Sequence, residues 1–427
     1  MILRHCQEIA ADWLRNRAAG GLLADVGAGK TATVLRALGN HRALVVAPKR
    51  VAQLAWPEQI DQWAPGRSWS ILHGKKGDYG ADILLTNPEQ LENVLASDMP
   101  DTLILDESHI WRNGVGTKRF KVLQQAMPRF KRRWSMTATP APRALENLWA
   151  QAYLLDGGKA LGKYYTAFLQ NYFYKTAWDK HHLRMHPWTQ DEVYERVGEL
   201  FHRTQMPPAQ LYEHTIQVDL PEAVRRQIAG IERDLEDDLR ERVRGGEIGG
   251  AMANKMRQLA SGAVYDGFGN WERVHNAKLD ALSELIDSMQ GNPLLVFYEF
   301  EHERERIVGK FGLKHWLGRG SGDEGAVLFA WNQGQIAVLP MQVSAGVGLN
   351  MHLFGGSKHC CFFTLPWDLA QYIQAAGRLR PNLNPVFVHS LIVTGSIEQR
   401  VVWPALLAKR SVENALLDYF AGAKEKG

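Results

Sequence analysis

Residues 24–31 read Ala-Asp-Val-Gly-Ala-Gly-Lys-Thr, and this stretch decides the fold class of the chain. It follows a short apolar run, 21–24, and opens a helical stretch at Ala32. Glycines here let backbone N–H groups close around phosphate oxygens, and the helix N-terminus adds a favourable dipole. In such a loop the lysine reaches the β- and γ-phosphates and the following hydroxyl binds Mg²⁺. The pattern predicts a nucleotide-binding loop whose members are Gly27, Ala28, Gly29, Lys30 and Thr31.

Short, almost continuous apolar runs recur at both ends of the chain. They lie at 43–47, 82–86, 102–105 and 134–137, and again at 294–298, 336–339, 359–364 and 386–393. Strands that helices bury on both faces have this composition, which indicates parallel, doubly wound sheets. We therefore predict an α/β chain with two tandem doubly wound lobes and helical insertions between them.

The middle of the chain, about 155–275, differs from both ends. Apolar residues recur there at three- and four-residue spacing from Ile228 to Val243, which predicts one amphipathic helix. Gly245, Gly246, Gly249 and Gly250 follow it and predict a flexible turn.

Composition excludes several classes of protein. The chain has 427 residues, of which 45% are hydrophobic and 22% charged, which excludes wholesale disorder. It has no apolar run of the roughly 18–20 residues that a membrane span needs, and its first residues lack the layout of a signal peptide. Three cysteines, two of them adjacent, exclude a disulfide framework or a cysteine-rich zinc site. We expect a cytoplasmic protein without a membrane partner, and the net charge of +4 permits nucleic acid as a partner.

A pair of carboxylates follows the apolar run at 102–105. Asp106 is expected to hold Mg²⁺ together with Thr31, and Glu107 to orient or deprotonate the attacking water. An Asp-Glu pair at a strand end is weak evidence alone. Its place in the same α/β unit as the nucleotide-binding loop makes it strong.

With these two motifs in place, the chain resembles helicase superfamily 2, and within it the Swi/Snf-type DNA translocase ATPases in a compact form typical of bacterial or phage members. The matching segments of the first half are Leu3–Gln7, Val45–Pro48 with Trp56, Thr86–Glu89, Met136–Pro140 and Leu145–Phe173. Those of the second half are Lys278-Leu279, Pro293–Phe297, Ser344–Asn350 and Pro366–Arg380.

The resemblance implies two tandem RecA-like lobes, ATP and Mg²⁺ as cofactors, and a role for each matching residue. Arg4, Gln7 and Gly348 are expected to contact the nucleotide, and Gln374, Arg378 and Arg380 to take part in hydrolysis. DNA contacts are expected from the resemblance at Thr86, Asn87, Thr137 and Ser344. Lys49 and Arg50 are expected to contact DNA as well, because their loop lies at the carboxyl edge of the predicted sheet.

Two departures from the family pattern matter. The Swi/Snf loop has one more residue, a Glu, between its Asp and its glycines, whereas Asp25 is followed by Val26 and Gly27. The sixth motif usually has two arginines three positions apart, whereas Arg378 and Arg380 are two apart. The arginine finger can therefore be either, and we favour Arg380 with Arg378 in support.

The boundaries that we predict are 1–155 for the first lobe and 156–205 for its helical protrusion. A linker strand and helical insertion follow at 206–275, and the second lobe at 276–427. The leading hypothesis is an ATPase that translocates along double-stranded DNA, with a DNA-bound protein as possible cargo. One alternative is a helicase that unwinds forked or branched DNA, and another is a nucleotide-binding scaffold without motor activity.

Two surfaces could contact DNA in addition to Lys49 and Arg50. One is a basic run, which we interpret mainly as a solvated face: Lys118, Arg119, Lys121, Arg129, Lys131, Arg132 and Arg133. The other is the mixed basic and aromatic stretch from Lys163 to Trp188, which could stack bases but which we interpret mainly as helical core and protrusion.

Overall fold

The computed structural model describes residues 2–111, 116–140, 145–175, 183–204, 211–231, 247–266, 268–346, 351, 358–379 and 385–408. The chain forms two compact units. Unit 1 spans Met1–Pro207, and unit 2 comprises Pro208–Val347 and Met351–Ala408.

Unit 1 is built on a seven-stranded parallel sheet. Its strands are β1 (Ala19–Leu23), β2 (Ala43–Val46), β3 (Trp69–Ile71), β4 (Ile83–Thr86), β5 (Thr102–Asp106), β6 (Arg132–Thr137) and β9 (Phe201–Arg203). Their order across the sheet is β3-β4-β2-β5-β6-β1-β9. Every neighbouring pair runs parallel, so the carboxyl ends of all seven strands lie at one edge.

Eight α-helices and a small hairpin complete the described part of unit 1. The helices are α1 (His5–Arg15), α2 (Lys30–Leu38), α3 (Trp56–Trp63), α4 (Leu91–Val94), α5 (Lys118–Ala126), α6 (Asn147–Asp156), α7 (Tyr165–Tyr172) and α8 (Gln190–Gly198). The hairpin pairs β7 (Phe173–Lys175) with β8 (Leu183–Met185) in antiparallel fashion. The central strands are buried along their whole length, which explains their continuous apolar sequence.

Unit 2 contains a second parallel sheet, of five strands. These are β10 (Leu211–Val218), β13 (Leu294–Tyr298), β14 (Val338–Gln342), β15 (His359–Phe362) and β16 (Val386–Val393), in the order β10-β16-β15-β13-β14. An antiparallel pair, β11 (Ala263–Tyr265) and β12 (Trp271–Arg273), stands apart from it. The described helices that have defined bounds are α9 (Glu247–Ser261), α10 (Ala277–Ser288), α11 (Glu301–Phe311), α12 (Glu324–Asn332) and α13 (Leu369–Ala376).

A buried ionic cluster fixes the end of β15. Lys278 and Glu398 are fully buried and their Nζ and Oε2 atoms lie 2.6 Å apart. The same Nζ donates to the carbonyl of Phe363, and Arg257 donates to the carbonyl of Leu365. A buried pair contributes little net stability, but loss of one partner leaves an uncompensated charge. The cluster therefore holds the backbone that leads into Pro366, Trp367 and α13.

The prediction of two doubly wound, RecA-like parallel-sheet units is confirmed, and each of the apolar runs forms a strand within three residues of its expected bounds. Short edge strands β3 and β9 were not predicted. The predicted turn at the glycines is wrong at Gly249 and Gly250, which lie inside α9. Packing of Leu259 and Ala260 into the unit 2 core stabilises this helix, and such packing outweighs the low helix propensity of glycine.

The structure describes only some of the residues on which the remaining expectations for the middle of the chain depend. Residues 222–231 are helical, whereas the rest of the predicted amphipathic helix, with Gly245 and Gly246, lies outside the described residues. Within the described ranges, no helix combines the length and apolar character that crossing a membrane would require.

Acid is expected to destabilise unit 2 through its buried histidines. Burial lowers the pKa of His275, His302 and His389 to about 4, against about 6.5 in an unfolded chain. Between these values the unfolded state binds more protons, so the free energy of unfolding falls as the pH drops from 6.5 toward 4. We predict a melting temperature that declines over this interval, with hydrogen exchange rising first in unit 2.

His302→Phe provides the control. The His302 ring stacks on Phe300, and neither ring nitrogen has a hydrogen-bond partner in the described structure, so phenylalanine preserves the packing without the proton. The variant should show a shallower pH dependence between pH 6.5 and 5. An unchanged slope would contradict this account.

Candidate nucleotide-binding site

The loop at residues 24–29 connects β1 to α2 and reverses direction at two glycines. Gly27 and Gly29 have φ angles of 78° and 74°, in the left-handed region that favours glycine. The Nζ atom of Lys30 donates to the carbonyls of Ala24, at 3.0 Å, and Asp25, at 3.1 Å. The side chain of Lys30 thus lies across the loop, and its ammonium group lies beside these two carbonyls.

Gln7, from α1, packs directly against this loop. It is buried, and its Nε2 donates to the carbonyl of Ala28 at 3.0 Å while its Oε1 accepts from the backbone N–H of Arg4 at 2.8 Å. A side chain at Gly29 would overlap Gln7. The predicted nucleotide contacts Gln7 and Gly29 are therefore neighbours, whereas Arg4 is exposed.

Asp106 ends β5 and is buried at the same sheet edge as the loop. Its Oδ2 accepts a hydrogen bond from the indole of Trp56 at 2.9 Å, and its Oδ1 accepts one from the backbone N–H of Glu107 at 2.8 Å. Burial, and then repulsion from Glu107, raises the pKa of Asp106, while Trp56 and the Lys30 ammonium oppose the rise. The influence of Lys30 places the lysine and the carboxylate in one electrostatic site.

Glu107 adopts a backbone conformation that is rare for a residue with a side chain. Its φ angle is 49°, and such strained residues cluster at functional sites. Its Oε2 lies 3.3 Å from Nδ1 of His109, and the same Nδ1 lies 3.1 Å from Oγ1 of Thr137. The carbonyl of Thr137 in turn accepts from the N–H of Ala24 at 3.2 Å. Short polar contacts therefore run from the start of the loop through the end of β6 to the carboxylates.

The donors at this edge fit a magnesium ion that is shared with phosphates. Asp106 supplies a carboxylate and Thr31, in the first turn of α2, supplies a hydroxyl, and Mg²⁺ prefers one or two such protein ligands beside water and phosphate oxygens. In the described ranges no cluster of three His, Cys, Asp or Glu side chains forms a metal cage. A magnesium ion that phosphate oxygens also bind does not need such a cage of protein side chains.

Arg203 belongs to the site, although the sequence analysis missed it. It is the last residue of β9, and it pairs with Leu23, the last residue of β1. Its Nη2 lies 2.8 Å from Oδ1 of Asp25, which makes an ion pair with the second residue of the loop. The two residues are 178 positions apart, so no sequence pattern links them.

Unit 2 contains the other residues expected to act in hydrolysis. Gln374 is buried on α13, and its Nε2 has no hydrogen-bond partner among the described residues. Arg378 follows in a 3-10 turn, Gly377–Leu379, and is half-buried. Arg380 and Gly348 lie outside the described residues, and their roles stay predictions.

Three of the expected DNA contacts are buried side chains with partners of their own. Thr86 is close to the carbonyl of Leu72, Asn87 accepts the N–H groups of Glu89 and Gln90 at 3.1 Å, and Thr137 contacts His109. Lys49 and Ser344, in contrast, are exposed, and Arg50 is half-buried. Lys49 and Asn87 both line a groove of about 600 Å³ in unit 1, together with Pro48, His73, Pro88, Glu89, Gln90, Ile110 and Arg119.

Most of the basic run at 118–133 is engaged with its own surface. Lys118 pairs with Glu92 and Arg119 with Glu89, both at 2.6 Å, and Lys131 lies 3.4 Å from Asp101. Arg129 donates to two backbone carbonyls. These contacts favour the interpretation of this run as a solvated face.

Comparison with known proteins places this geometry in a family. The family described as SNF2-related domain matches residues 6–172, which contain the loop, both carboxylates and Thr137. The chain is also 30% identical over 446 residues to the putative protein p41 of Acyrthosiphon pisum secondary endosymbiont phage 1, covering 92% of this chain and 93% of that protein. The chain belongs to the SNF2-related family.

As a member, this SNF2-related protein is an ATPase of helicase superfamily 2. Among solved structures it is similar to the Sulfolobus solfataricus SWI2/SNF2 ATPase core in complex with dsDNA, with 18% identity, a TM-score of 0.44, and coverage of 100% of this chain and 96% of that chain. The Sulfolobus solfataricus SWI2/SNF2 ATPase core domain gives 19% identity and a TM-score of 0.42, with coverage of 96% and 89%.

The Asp25–Arg203 ion pair yields a prediction for this ATPase. Because the pair fixes the loop, Arg203→Ala should raise the KM for ATP about tenfold while kcat changes less, since charge-assisted hydrogen bonds are worth about 1.5–3 kcal/mol. Asp25→Ala should have the same effect, and the double variant should be no worse than either single one.

Arg196→Ala is the matched control. Arg196 makes an exposed ion pair with Glu192 on α8 at 2.8 Å, and exposed pairs of this kind contribute little. Steady-state ATPase kinetics measure all four variants. If the effects of the Arg203 and Asp25 substitutions on the KM for ATP are additive, the two residues do not position the loop through a shared ion pair.

Proposed function

We propose that this SNF2-related ATPase is a motor that moves along double-stranded DNA and displaces what is bound there. The observation that carries the proposal is the convergence of the loop, Asp106 and Glu107 at one sheet edge, in a chain with a second parallel-sheet unit. A scaffold that only binds nucleotide would not need a strained carboxylate, Glu107, directly after Asp106.

The residues of unit 1 divide the work of hydrolysis. Lys30 and the loop N–H groups bind the phosphates, and Gln7 contacts the base. Thr31 and Asp106 hold Mg²⁺, which neutralises phosphate charge when it is bound. Glu107 orients the attacking water and accepts its proton, with His109 fixing the direction of its carboxylate.

The charge that develops on the transferred phosphoryl group needs a further cation. We assign that cation to unit 2, at Arg380 with Arg378 in support, and Gln374 positions this segment. The proposal makes hydrolysis depend on both units, so the ATP cycle can drive alternating grips on DNA. Its support is the ordered series of motifs in unit 2 and the buried cluster around Lys278 that fixes the chain leading into α13.

The DNA contacts of the proposal are mainly phosphate contacts. Lys49 and Arg50 follow β2 at the carboxyl edge of the sheet, and Ser344 is exposed after β14. Thr86, Asn87 and Thr137 act indirectly, because they are buried at the carboxyl ends of β4 and β6, where Asn87 and Thr137 bond the backbone that follows. Phosphate binding by cations weakens steeply with salt.

We also infer a cytoplasmic location. The support is the chemistry of the cysteines: Cys6, Cys360 and Cys361 form no disulfide, and Cys360 and Cys361 are buried in β15.

A triplex-displacement assay tests the motor proposal. The protein is given ATP and a blunt duplex that carries a third strand, and in parallel a forked duplex without one. We predict release of the third strand with little separation of the fork, because translocation along a duplex requires no strand separation.

Glu107→Gln should reduce this release more than about a hundredfold, since general-base catalysis contributes 10²–10⁴ in rate. Glu195→Gln, the same substitution at an exposed site on α8, is the control and should match the wild type. Fork separation without third-strand release would favour the helicase alternative. ATP binding without hydrolysis would favour the scaffold.

A further inference from the structure

The β7–β8 hairpin of unit 1 carries a stack of three aromatic rings that the motor chemistry does not use. The rings of Tyr174 and His186 are 4.9 Å apart between centroids, with an interplanar angle of 27°. Those of His186 and Trp188 are 4.8 Å apart, at 29°. These distances are typical of offset stacking, so the three rings form a short column.

The rings at the two ends of the column are exposed to solvent. Trp188 is 76% exposed and Tyr174 is 36% exposed, although tryptophan usually buries most of its surface. The neighbouring aromatic residues Phe168 and Tyr172 are buried in the core of unit 1. The column therefore differs from these buried neighbours, although Tyr164, outside the column, is exposed as well.

The backbone under the column is fixed before any partner arrives. The N–H of His186 donates a hydrogen bond to the carbonyl of Tyr172 at 2.9 Å. The N–H and the hydroxyl of Thr189 both donate to the carbonyl of His186. Pro187, between the two rings, restricts the chain further. A preorganised surface loses little conformational entropy when it binds a ligand.

The charge on the same face identifies the partner. Arg184 is paired with Tyr174 across the hairpin, so both side chains project from one face, and Arg184 is exposed. Lys175 is exposed as well, and the described strands of the hairpin contain no acidic residue. Aromatic faces beside cations are the combination that binds single-stranded nucleic acid, where bases stack and phosphates pair with charge.

We propose that Tyr174, His186 and Trp188 form a stacking platform for an unpaired DNA base, with Arg184 binding an adjacent phosphate. This inference rests on the proposed function, because it takes DNA as the track. It adds a preference for DNA with an unpaired segment, such as a single-stranded tail or a fork junction, over blunt duplex.

A binding experiment without ATP tests the platform. The probes are a blunt duplex and the same duplex with a single-stranded tail that contains 2-aminopurine, at one salt concentration. The wild type should bind the tailed duplex about fivefold to a hundredfold more tightly, the range that one stacked base supplies. Stacking should also quench the 2-aminopurine fluorescence.

Trp188→Ala should bring the two affinities within about twofold and abolish the quenching, whereas Trp188→Phe should retain most of both. A tail of abasic sites, which keeps the phosphates and lacks the bases, should show no preference with the wild type. Phe268→Ala removes a side chain of unit 2 that is 94% exposed, and it is the control for loss of any exposed aromatic residue.

Three outcomes would overturn the platform: equal affinities in the wild type, a preference that survives in Trp188→Ala, or no quenching. The last would point to the surface of another protein as the partner of these rings. The test stays separate from the motor proposal, which fails on its own if blunt duplex does not stimulate ATP hydrolysis by the wild type.

Discussion

The parallel pairing of β1, β6 and β5 fixes where the candidate nucleotide-binding site lies in unit 1. Because the three strands are neighbours and run in one direction, the loop after β1 and the carboxylates after β5 must emerge at the same edge. Ligands of such sheets bind beyond the carboxyl ends of the strands. The carbonyl of Thr137, at the end of the intervening β6, joins the two motifs by accepting the N–H of Ala24.

Burial strengthens the electrostatic interactions of Asp106 and Glu107, and it also costs free energy. Asp106 has lost its hydration, so its charge is stabilised by the Trp56 indole, by the N–H of Glu107 and by the nearby Lys30. Glu107 is held in a left-handed conformation that costs about 1–3 kcal/mol, which the surrounding strands must offset. Two acids that share a desolvated edge repel each other, and a bound cation relieves that repulsion, as expected for a nucleotide site that takes Mg²⁺.

The sequence analysis succeeded where the chemistry is local. The loop at 24–31, the Asp106–Glu107 pair and the buried parallel strands are patterns of adjacent residues, and the fold class followed from them. It missed Arg203, and it missed the bond from Trp56 to Asp106, because these contacts join positions 178 and 50 residues apart. It also could not separate exposed from buried polar side chains at strand ends. Thr86, Asn87 and Thr137 therefore looked like Lys49 and Arg50, although the first three are enclosed.

We propose that this edge of unit 1 binds ATP and Mg²⁺ together, and titration of ATP into the full chain with and without Mg²⁺ tests this assignment. The account predicts that Mg²⁺ tightens ATP binding by the wild type about tenfold or more, since Asp106 and the phosphates share the ion. Asp106→Asn, which keeps the shape of the side chain, should bind ATP equally well in both conditions. A variant that keeps the full Mg²⁺ effect would contradict the assignment of this edge as the site.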